Sequence, residues 1–179
     1  MRKVILSMMM SADGFMEANN RDINWHVWDE EMDNYMMDFF KKVDTFLYGR
    51  VSYELMISYW PEQKGEFAKV MNDTPKIVFS NTLEKAVWNS TIFNGDIVNE
   101  INTLKKQEGK DLVLFAGADL ATTFINNNLI DEYRIIVNPV SLGKGKPLFK
   151  DLKSPLKLQL INTIAFNCGN VILIYKPES

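Results

Sequence analysis

The strongest constraint on the fold is an alternation of strand and helix patterns that stops well before the C-terminus. Residues 4–10 form a continuous apolar run, which is typical of a central strand covered on both faces. In residues 29–43 the apolar side chains recur at i, i+3, i+4, i+7, i+8 and i+11, and this spacing predicts an amphipathic helix. Further strands are predicted at 45–48, 76–80, 88–93 and 111–115, and further helices at 51–59, at 96–107 and up to Asn126.

The C-terminal part of the chain contains strand patterns alone. Residues 133–140, 156–165 and 170–175 are rich in apolar residues, with turn sequences at 142–146 and 167–169. Alternating strands and helices favour a parallel sheet, whereas strands joined by turns favour antiparallel pairing. At 179 residues the chain has the size of one ordinary domain. We therefore predict a single α/β domain over residues 1–179, in three layers: a mainly parallel central sheet with antiparallel C-terminal strands, and helices on both faces.

Charge and cysteine content restrict the partners and the compartment. The chain has 20 Lys and Arg against 23 Asp and Glu, a formal net charge of −3. It therefore lacks the basic surface that broad binding to nucleic acid or to an anionic membrane requires. A single cysteine, Cys168, excludes an internal disulfide and favours the reducing cytoplasm. Without paired cysteines or a histidine cluster, no metal site is expected.

Three predicted strand ends carry residues suited to an anionic ligand. In α/β sheets, ligands bind beyond the carboxyl ends of the parallel strands, where a helix begins. Gly49 and Gly117 allow close backbone approach at two of these ends, and Arg50 adds a forked donor suited to phosphate. The remaining end, Ser80-Asn81-Thr82, offers neutral donors. Together the three fit a dinucleotide, although Asp119 places an acid near a phosphate, and the G-x-G-x-x-G fingerprint of an ordinary dehydrogenase is absent.

Six segments carry a resemblance to a known family. Five of them resemble the dihydrofolate reductase-like superfamily, in the same order along the chain: VILSMMMSADG from Val4, FLYGRVSYE from Phe46, Trp60-Pro61, KIVFSNTL from Lys76 and DLVLFAGADL from Asp111. The sixth, LIDEYRIIVNPVSLGKGKPLF from Leu129, is similar to one branch, the reductase domain of bifunctional riboflavin biosynthesis proteins (RibD C-terminal domain type) and its stand-alone relatives. The resemblance covers nearly the whole chain and implies a dihydrofolate reductase-like fold.

The resemblance also implies NADPH as the cofactor, held at the three strand ends. The 2′-phosphate and pyrophosphate end would be held by Gly49, Arg50, Val51, Ser80, Asn81 and Thr82. The pyrophosphate would be cradled at a helix start by Ala116, Gly117, Ala118, Asp119 and Leu120. Residues 11–15, which include Ser11 and Gly14, would form a mobile loop that excludes water from the nicotinamide.

Two departures from the family pattern bear on the cofactor site and on the substrate. Ala116 stands where the family usually has a glycine, and it adds a methyl group where the backbone should approach a phosphate. A lysine that usually precedes the S-x-D-G turn, at a substrate-handling position, is replaced by the Leu, Ser and Met side chains of residues 6–10.

Hydride transfer to a C=N or related carbon needs an acid that supplies or relays a proton. In dihydrofolate reductases this acid lies at the start of the first long helix, which matches residues 28–33 here. Asp29, Glu30 and Asp33 are therefore candidates, and Asp13 at the mouth is another. Each has a structural alternative: complementarity to the helix dipole for the first three, and an Asp-Gly turn for Asp13.

Three functions remain open at this point. The first is an NADPH-dependent reductase of the 5-amino-6-(5-phosphoribosylamino)uracil type, as in riboflavin biosynthesis. The second is a reductase of another small heterocycle, such as a dihydrofolate-like pterin. The third is a nucleotide-binding module without turnover.

The closing strands predict a homodimer. Residues 156–165 and 170–175 are rich in apolar residues. Residues 171–175 leave few polar positions for a solvent-facing side, so as the exposed edge strand they would need a cover. The resembling reductases commonly pair through their sheets, which implies a two-fold interface formed by these strands.

Overall fold

One eight-stranded sheet forms the centre of the molecule. The computed structural model describes residues 1–178. The strands are β1 (Val4–Ser11), β2 (Phe15–Glu17), β3 (Val43–Gly49), β4 (Lys76–Phe79), β5 (Ser90–Phe93), β6 (Asp111–Leu114), β7 (Glu132–Asn138), β8 (Lys146–Pro147), β9 (Leu158–Ala165) and β10 (Val171–Pro177). The sheet order is β5-β4-β3-β6-β1-β7-β10-β9, and β2 pairs separately with β8. Pairing is parallel from β5 to β7 and antiparallel for β10 and β9, which confirms the predicted fold class.

Helices cover both faces of this sheet. They are α1 (Glu30–Phe40), α2 (Arg50–Ile57), α3 (Glu66–Asp73), α4 (Ile97–Lys106) and α5 (Ala118–Asn126), with a 3-10 turn at Trp60–Glu62. Side chains alternate across β1, so Val4 and Leu6 pack with α4 and α5, whereas Ile5 packs with α1, α2 and α3. The three-layer prediction is therefore confirmed. No helix within residues 1–178 is long and apolar enough to cross a membrane.

The helix predicted at 29–43 is shorter than its apolar spacing indicates. Asp29 is its N-cap, and a side-chain oxygen of Asp29 accepts a hydrogen bond from the N–H of Met32 at 2.9 Å. The helix ends at Phe40, because Val43 pairs with Asp111 as the first residue of β3. The sequence patterns above predict neither α3 nor the β2–β8 pair. The strands β2 and β8 span only three and two residues, too few to show an alternation.

The prediction that residues 170–175 form an exposed edge is wrong. β10 lies inside the sheet, between β7 and β9. Its Ile172 and Ile174 are 0% and 8% exposed and share a core cluster with Met32 of α1. The edge strand is β9, in which Leu160 and Ile161 are 52% and 53% exposed. Both strands are apolar, so composition alone does not reveal which one lies outside.

A buried lysine holds the C-terminal end of α3. The Lys76 side chain is 1% exposed, and its Nζ donates to the carbonyl oxygens of Asn72 at 3.2 Å and Thr74 at 2.5 Å. The same ammonium group lies 4.2 Å from the ring centroid of Trp88, a cation–π contact. Burial disfavours the charged form and lowers the pKa of Lys76 to about 8.

The substitution Lys76→Met tests this buried charge. The pKa falls from 10.5 in the unfolded chain to about 8 in the native protein, so the unfolded chain binds more protons between these values. The Lys76 contribution to the free energy of unfolding should therefore rise with pH over this interval, and Lys76→Met should remove that rise. Urea unfolding of both proteins at pH about 7.5 and about 9.5 measures it. Identical pH dependence in the two proteins would contradict the assignment.

Candidate active site

Three parallel strands end at one edge of the sheet, where they bring the predicted site segments together. Gly49, the last residue of β3, lies opposite Phe79, the last residue of β4. On the other side of β3, the N–H of Phe115, just after β6, donates to the carbonyl oxygen of Leu47 at 2.9 Å. The segments 48–52, 79–82 and 115–119 therefore lie side by side.

At this edge α2 and α5 begin next to each other, and no side chain caps either helix. Their N-cap residues are Gly49 and Gly117. A Cβ atom at Gly117 would lie 3.5 Å from Ser52 Oγ, and one at Gly49 would lie 3.5 Å from Leu120 Cδ2. The first turn of each helix is therefore adjacent to the first turn of the other.

The paired helix starts present backbone groups of the kind that can bind an anion. First-turn N–H groups have no partner within their own helix, and the helix dipole adds positive potential at the same end. At α1 and α4, the carboxylates of Asp29 and Asp96 accept hydrogen bonds from such groups. At α2 and α5 the glycine N-caps leave them open to a ligand. A phosphate group suits this arrangement.

Arg50 adds a guanidinium group at the start of α2. Its side chain is 45% exposed, and its Nη1 contacts the Glu54 carboxylate oxygens at 2.9 and 3.1 Å. The Nε and Nη2 groups form no hydrogen bond within residues 1–178, so they remain available to a ligand. The following residue, Val51, is 42% exposed.

The methyl group of Ala116 does not narrow the mouth of the site. Ala116 is 0% exposed and lies in the core cluster on the α4 and α5 side, together with Leu114 and Ala118. Gly117 is the residue whose missing side chain keeps open the space in front of the first turn of α5. The departure from the family's usual glycine is therefore accommodated by the core.

The Asp119 carboxylate is neutralised by two lysines. Lys146 Nζ lies 3.3 Å from one of its oxygens, and Lys150 Nζ pairs with the other. The hydrogen bond from Lys150 is the main reason why the pKa of Asp119 is lowered. These lysines lie beside the candidate site, and the sequence patterns do not single them out, because residues 143–147 predict only a turn. Their signal is the local excess of lysine, at Lys144, Lys146 and Lys150.

The turn after β4 is organised by its first residue. Ser80 Oγ accepts hydrogen bonds from the N–H groups of Thr82 at 3.2 Å and Leu83 at 3.0 Å. Asn81 and Thr82 are exposed. This turn therefore presents polar groups beside Gly49.

Residues 11–15 are tied to the turn that follows β7. Ser11 Oγ donates to Asp13 at 2.6 Å and accepts from the N–H of Phe15 at 3.0 Å. Asp13 accepts three further hydrogen bonds, from Ser141 Oγ at 2.8 Å and from the N–H groups of Leu142 at 3.1 Å and Gly143 at 2.7 Å. These hydrogen bonds hold the pKa of Asp13 far below its usual range, and the bond from Ser11 has the largest effect. Gly14 has a φ of 91°, a conformation that favours glycine.

The acid candidates of α1 lie at the same edge, above β7 and β10. Asp29 accepts a hydrogen bond from the N–H of Cys168 at 2.9 Å. The pKa of Asp29 is lowered by its hydrogen bonds, most strongly by the one from the N–H of Met32 and then by the one from Cys168. Asp33 accepts from Trp28 Nε1 at 2.6 Å. Glu30 is exposed, and its side chain forms no hydrogen bond within the described chain. None of the three contacts the start of α2 or α5 in the part of the chain that the structure describes, and their catalytic role stays a prediction.

His26 is a half-buried polar residue that no motif indicates. Its ring packs edge-on against Trp25 with centroids 4.4 Å apart, and its Nε2 is buried without a partner among residues 1–178. Burial lowers the pKa of His26 to about 4, so the ring is neutral at physiological pH. Its only sequence signal is that it is the single histidine of the chain.

Known proteins share both the sequence pattern and the fold. Residues 2–172 match the family described as the RibD C-terminal domain. The Bacillus subtilis protein YyaP is 41% identical over 180 residues, covering 97% of this chain and 94% of YyaP. A structure assigned to riboflavin biosynthesis in Shewanella sp. PV-4 has a TM-score of 0.84 at 23% identity and covers 99% of both chains. Enterococcus faecalis dihydrofolate reductase, complexed with NADP(H), has a TM-score of 0.68 at 12% identity over 99% of this chain and 97% of its own. The chain therefore belongs to the RibD C-terminal domain family.

Proposed function

We propose that the protein is an NADPH-dependent reductase that delivers hydride to a C=N or related carbon of a small heterocycle. The observation that carries this proposal is the pair of glycine-capped helix starts at Gly49 and Gly117, with Arg50 beside them. Membership of the RibD C-terminal domain family supports a reductase. The similar fold of a dihydrofolate reductase complexed with NADP(H) supports the cofactor.

The residues present fit a dinucleotide with an additional phosphate. The open N–H groups after Gly49 and Gly117 suit the pyrophosphate, and the free donors of Arg50 suit the 2′-phosphate. Ser80, Asn81 and Thr82 supply neighbouring polar groups. When bound, NADPH supplies the hydride.

The chain's own residues orient the reactants and exclude water. The hydrogen bonds of Asp13 fasten residues 11–15 to the 141–143 turn, which gives the end of β1 a cover. Asp13 and Asp29 accept hydrogen bonds through both carboxylate oxygens and have lowered pKa values. Glu30 and Asp33 each keep at least one oxygen free within residues 1–178, and we place the proton relay on one of these two.

The activity itself is tested by the oxidation of NADPH, followed by its absorbance, with candidate heterocycles. The panel contains 5-amino-6-(5-phosphoribosylamino)uracil and dihydropterins. We expect NADPH to bind and at least one heterocycle to be reduced. Binding without turnover of any compound would favour a nucleotide-binding module, and no binding would contradict the proposal.

Arg50→Ala should discriminate between the two nicotinamide cofactors. Loss of a charged hydrogen bond costs ~1.5–3 kcal/mol, so the Kd for NADPH should rise by about tenfold or more. The Kd for NADH should change little, because NADH lacks the 2′-phosphate. Isothermal titration measures both, and Glu54→Gln, which removes the competing carboxylate, is the matched control. Equal losses for the two cofactors would disprove the 2′-phosphate contact.

Gly117→Val should abolish cofactor binding without unfolding the protein. Gly117 has an ordinary φ of −64°, and a Cβ there would make only a normal contact, 3.5 Å from Ser52 Oγ. The added side chain would occupy the space in front of the helix start. A saturating cofactor, at about 100 times its Kd, stabilises a protein by ~2.7 kcal/mol, which a thermal shift detects. Gly117→Ala should give an intermediate loss, and a full shift in Gly117→Val would remove this junction from the site.

We also propose a homodimer, formed through the edge strand β9. This strand exposes Leu160 and Ile161 and leaves one row of backbone groups unpaired within the described sheet.

Light scattering tests the dimer and should give twice the 20.7 kDa of the chain, and Leu160→Lys or Ile161→Lys should give a soluble monomer. Ile172→Lys and Ile174→Lys should both unfold the protein, since both residues are buried. A concentration-independent mass of one chain would contradict the dimer.

A further inference from the structure

A continuous row of aromatic rings joins the start of α1 to the end of α2. Trp28 lies edge-on to Phe67 with centroids 5.8 Å apart, and Phe67 stacks on Trp60 at 5.4 Å. Trp60 in turn contacts Tyr59 edge-on at 5.0 Å. We call Trp28, Phe67, Trp60 and Tyr59 the aromatic row.

The aromatic row is connected to the strand end from which α5 begins. The ring of Phe40 lies 5.4 Å from Phe67 and 6.3 Å from Phe115. Phe115 is followed by the Ala116-Gly117 turn of the candidate cofactor site. The row therefore packs on the face of the sheet that α1, α2 and α3 cover, and its contacts reach the strand end that leads into that site through the core ring of Phe40.

The two ends of the row remain accessible. Trp28 is 40% exposed and Tyr59 is 54% exposed, and Leu55 of α2 is 41% exposed. Large apolar side chains that stay exposed in a group mark a surface that binds something. Flat rings are the natural partners of aromatic side chains, by stacking or edge-on contact.

Two segments supply Trp28, Tyr59 and Trp60 of the aromatic row, and neither contains a basic residue. Residues 22–40 and 51–63 contain neither lysine nor arginine. Their acidic residues are Asp22, Asp29, Glu30, Glu31, Asp33, Asp38, Glu54 and Glu62. Basic residues border both segments, at Arg21, Lys41, Arg50 and Lys64, and two of them pair with acids of the segments, Lys41 with Asp38 and Arg50 with Glu54. The four acids at the start of α1, which are Asp29, Glu30, Glu31 and Asp33, form no ion pair among the described residues. A phosphate group held beside Trp28 would therefore meet repulsion.

The cations of the site lie instead at the helix starts. Arg50 stands at the beginning of α2, and Lys146 and Lys150 stand beside Asp119 of α5. The site is thus divided into a side that suits phosphate and a side that suits a neutral or cationic ring.

We infer that the heterocycle reduced by this protein carries no phosphate and is neutral or cationic where it lies against the aromatic row. This inference rests on the proposed reductase function and narrows its substrate class. It sets the protein apart from a reductase of 5-amino-6-(5-phosphoribosylamino)uracil, whose substrate carries a phosphate ester.

Two matched pairs of compounds test the inference by binding to the protein saturated with NADP⁺. The first pair is 5-amino-6-(ribosylamino)uracil and its 5′-phosphate, and the second is 7,8-dihydroneopterin and its monophosphate. Isothermal titration should show that at least one unphosphorylated compound binds, and that it binds about tenfold or more tightly than its phosphate ester. Equal or tighter binding of the phosphate ester in a pair that binds, or no binding by any of the four, would overturn the inference.

Three variants show whether the row and its acids cause the preference. Glu30→Lys should narrow the gap between the two members of a pair, whereas Glu108→Lys, the same charge change at an exposed site outside both acidic segments, should leave it unchanged. Tyr59→Ser should weaken both members of a pair by the same factor, since it removes ring contact and no charge. An unchanged gap in Glu30→Lys would show that the acids play no part.

The same titrations separate this inference from the proposed function. NADP⁺ binding is measured first and by itself, and its absence would contradict the proposed function. The four compounds can then be titrated into the cofactor-free protein, where the preference for the unphosphorylated members is still expected. Phosphate preference in a protein that binds NADP⁺ would overturn the substrate class and leave the reductase proposal standing.

Discussion

The candidate site depends on one geometrical constraint: two neighbouring parallel strands, β3 and β6, each lead directly into a helix at the same edge of the sheet. Gly49 is both the last residue of β3 and the N-cap of α2, and Gly117 is the N-cap of α5. Both helix dipoles therefore direct their positive ends toward one place. A capping carboxylate at either position would remove that potential, and a larger side chain at Gly117 would fill the space where the potential acts.

The electrostatics of the edge follow from what surrounds these helix starts. Asp119 is neutralised by Lys146 and Lys150, so the start of α5 keeps its attraction for an anion. The start of α1, in contrast, is filled from within the protein, because Asp29 caps it and also accepts from Cys168 in the turn before β10. Helix starts of the same sheet edge thus differ in whether a side chain caps them. One pair is left open for a ligand, and the other start is closed by its own cap.

The sequence patterns predict the fold well and the site only in part. The apolar run of β1 and the glycines after β3 and β6 are local signals, and they place three strand ends at one edge because parallel strands require it. Contacts between distant segments leave no such signal: the pairing of Lys150 with Asp119, the tie from Asp13 to residues 141–143, and the burial of β10 inside the sheet. The departure at Ala116 has no effect on the mouth because its methyl lies in the core, which only packing reveals. The identity of the proton donor is likewise not encoded locally, since several acids share one helix start.

The central claim is that the starts of α2 and α5 bind the pyrophosphate of NADPH. Amide ¹H–¹⁵N spectra recorded during a titration with NADPH test it most directly, because they report on each N–H group separately. We expect the largest shifts on residues 50–52 and 118–120 and smaller ones on the capped starts of α1 and α4. Shifts confined to other parts of the chain, or none at saturating NADPH, would contradict it.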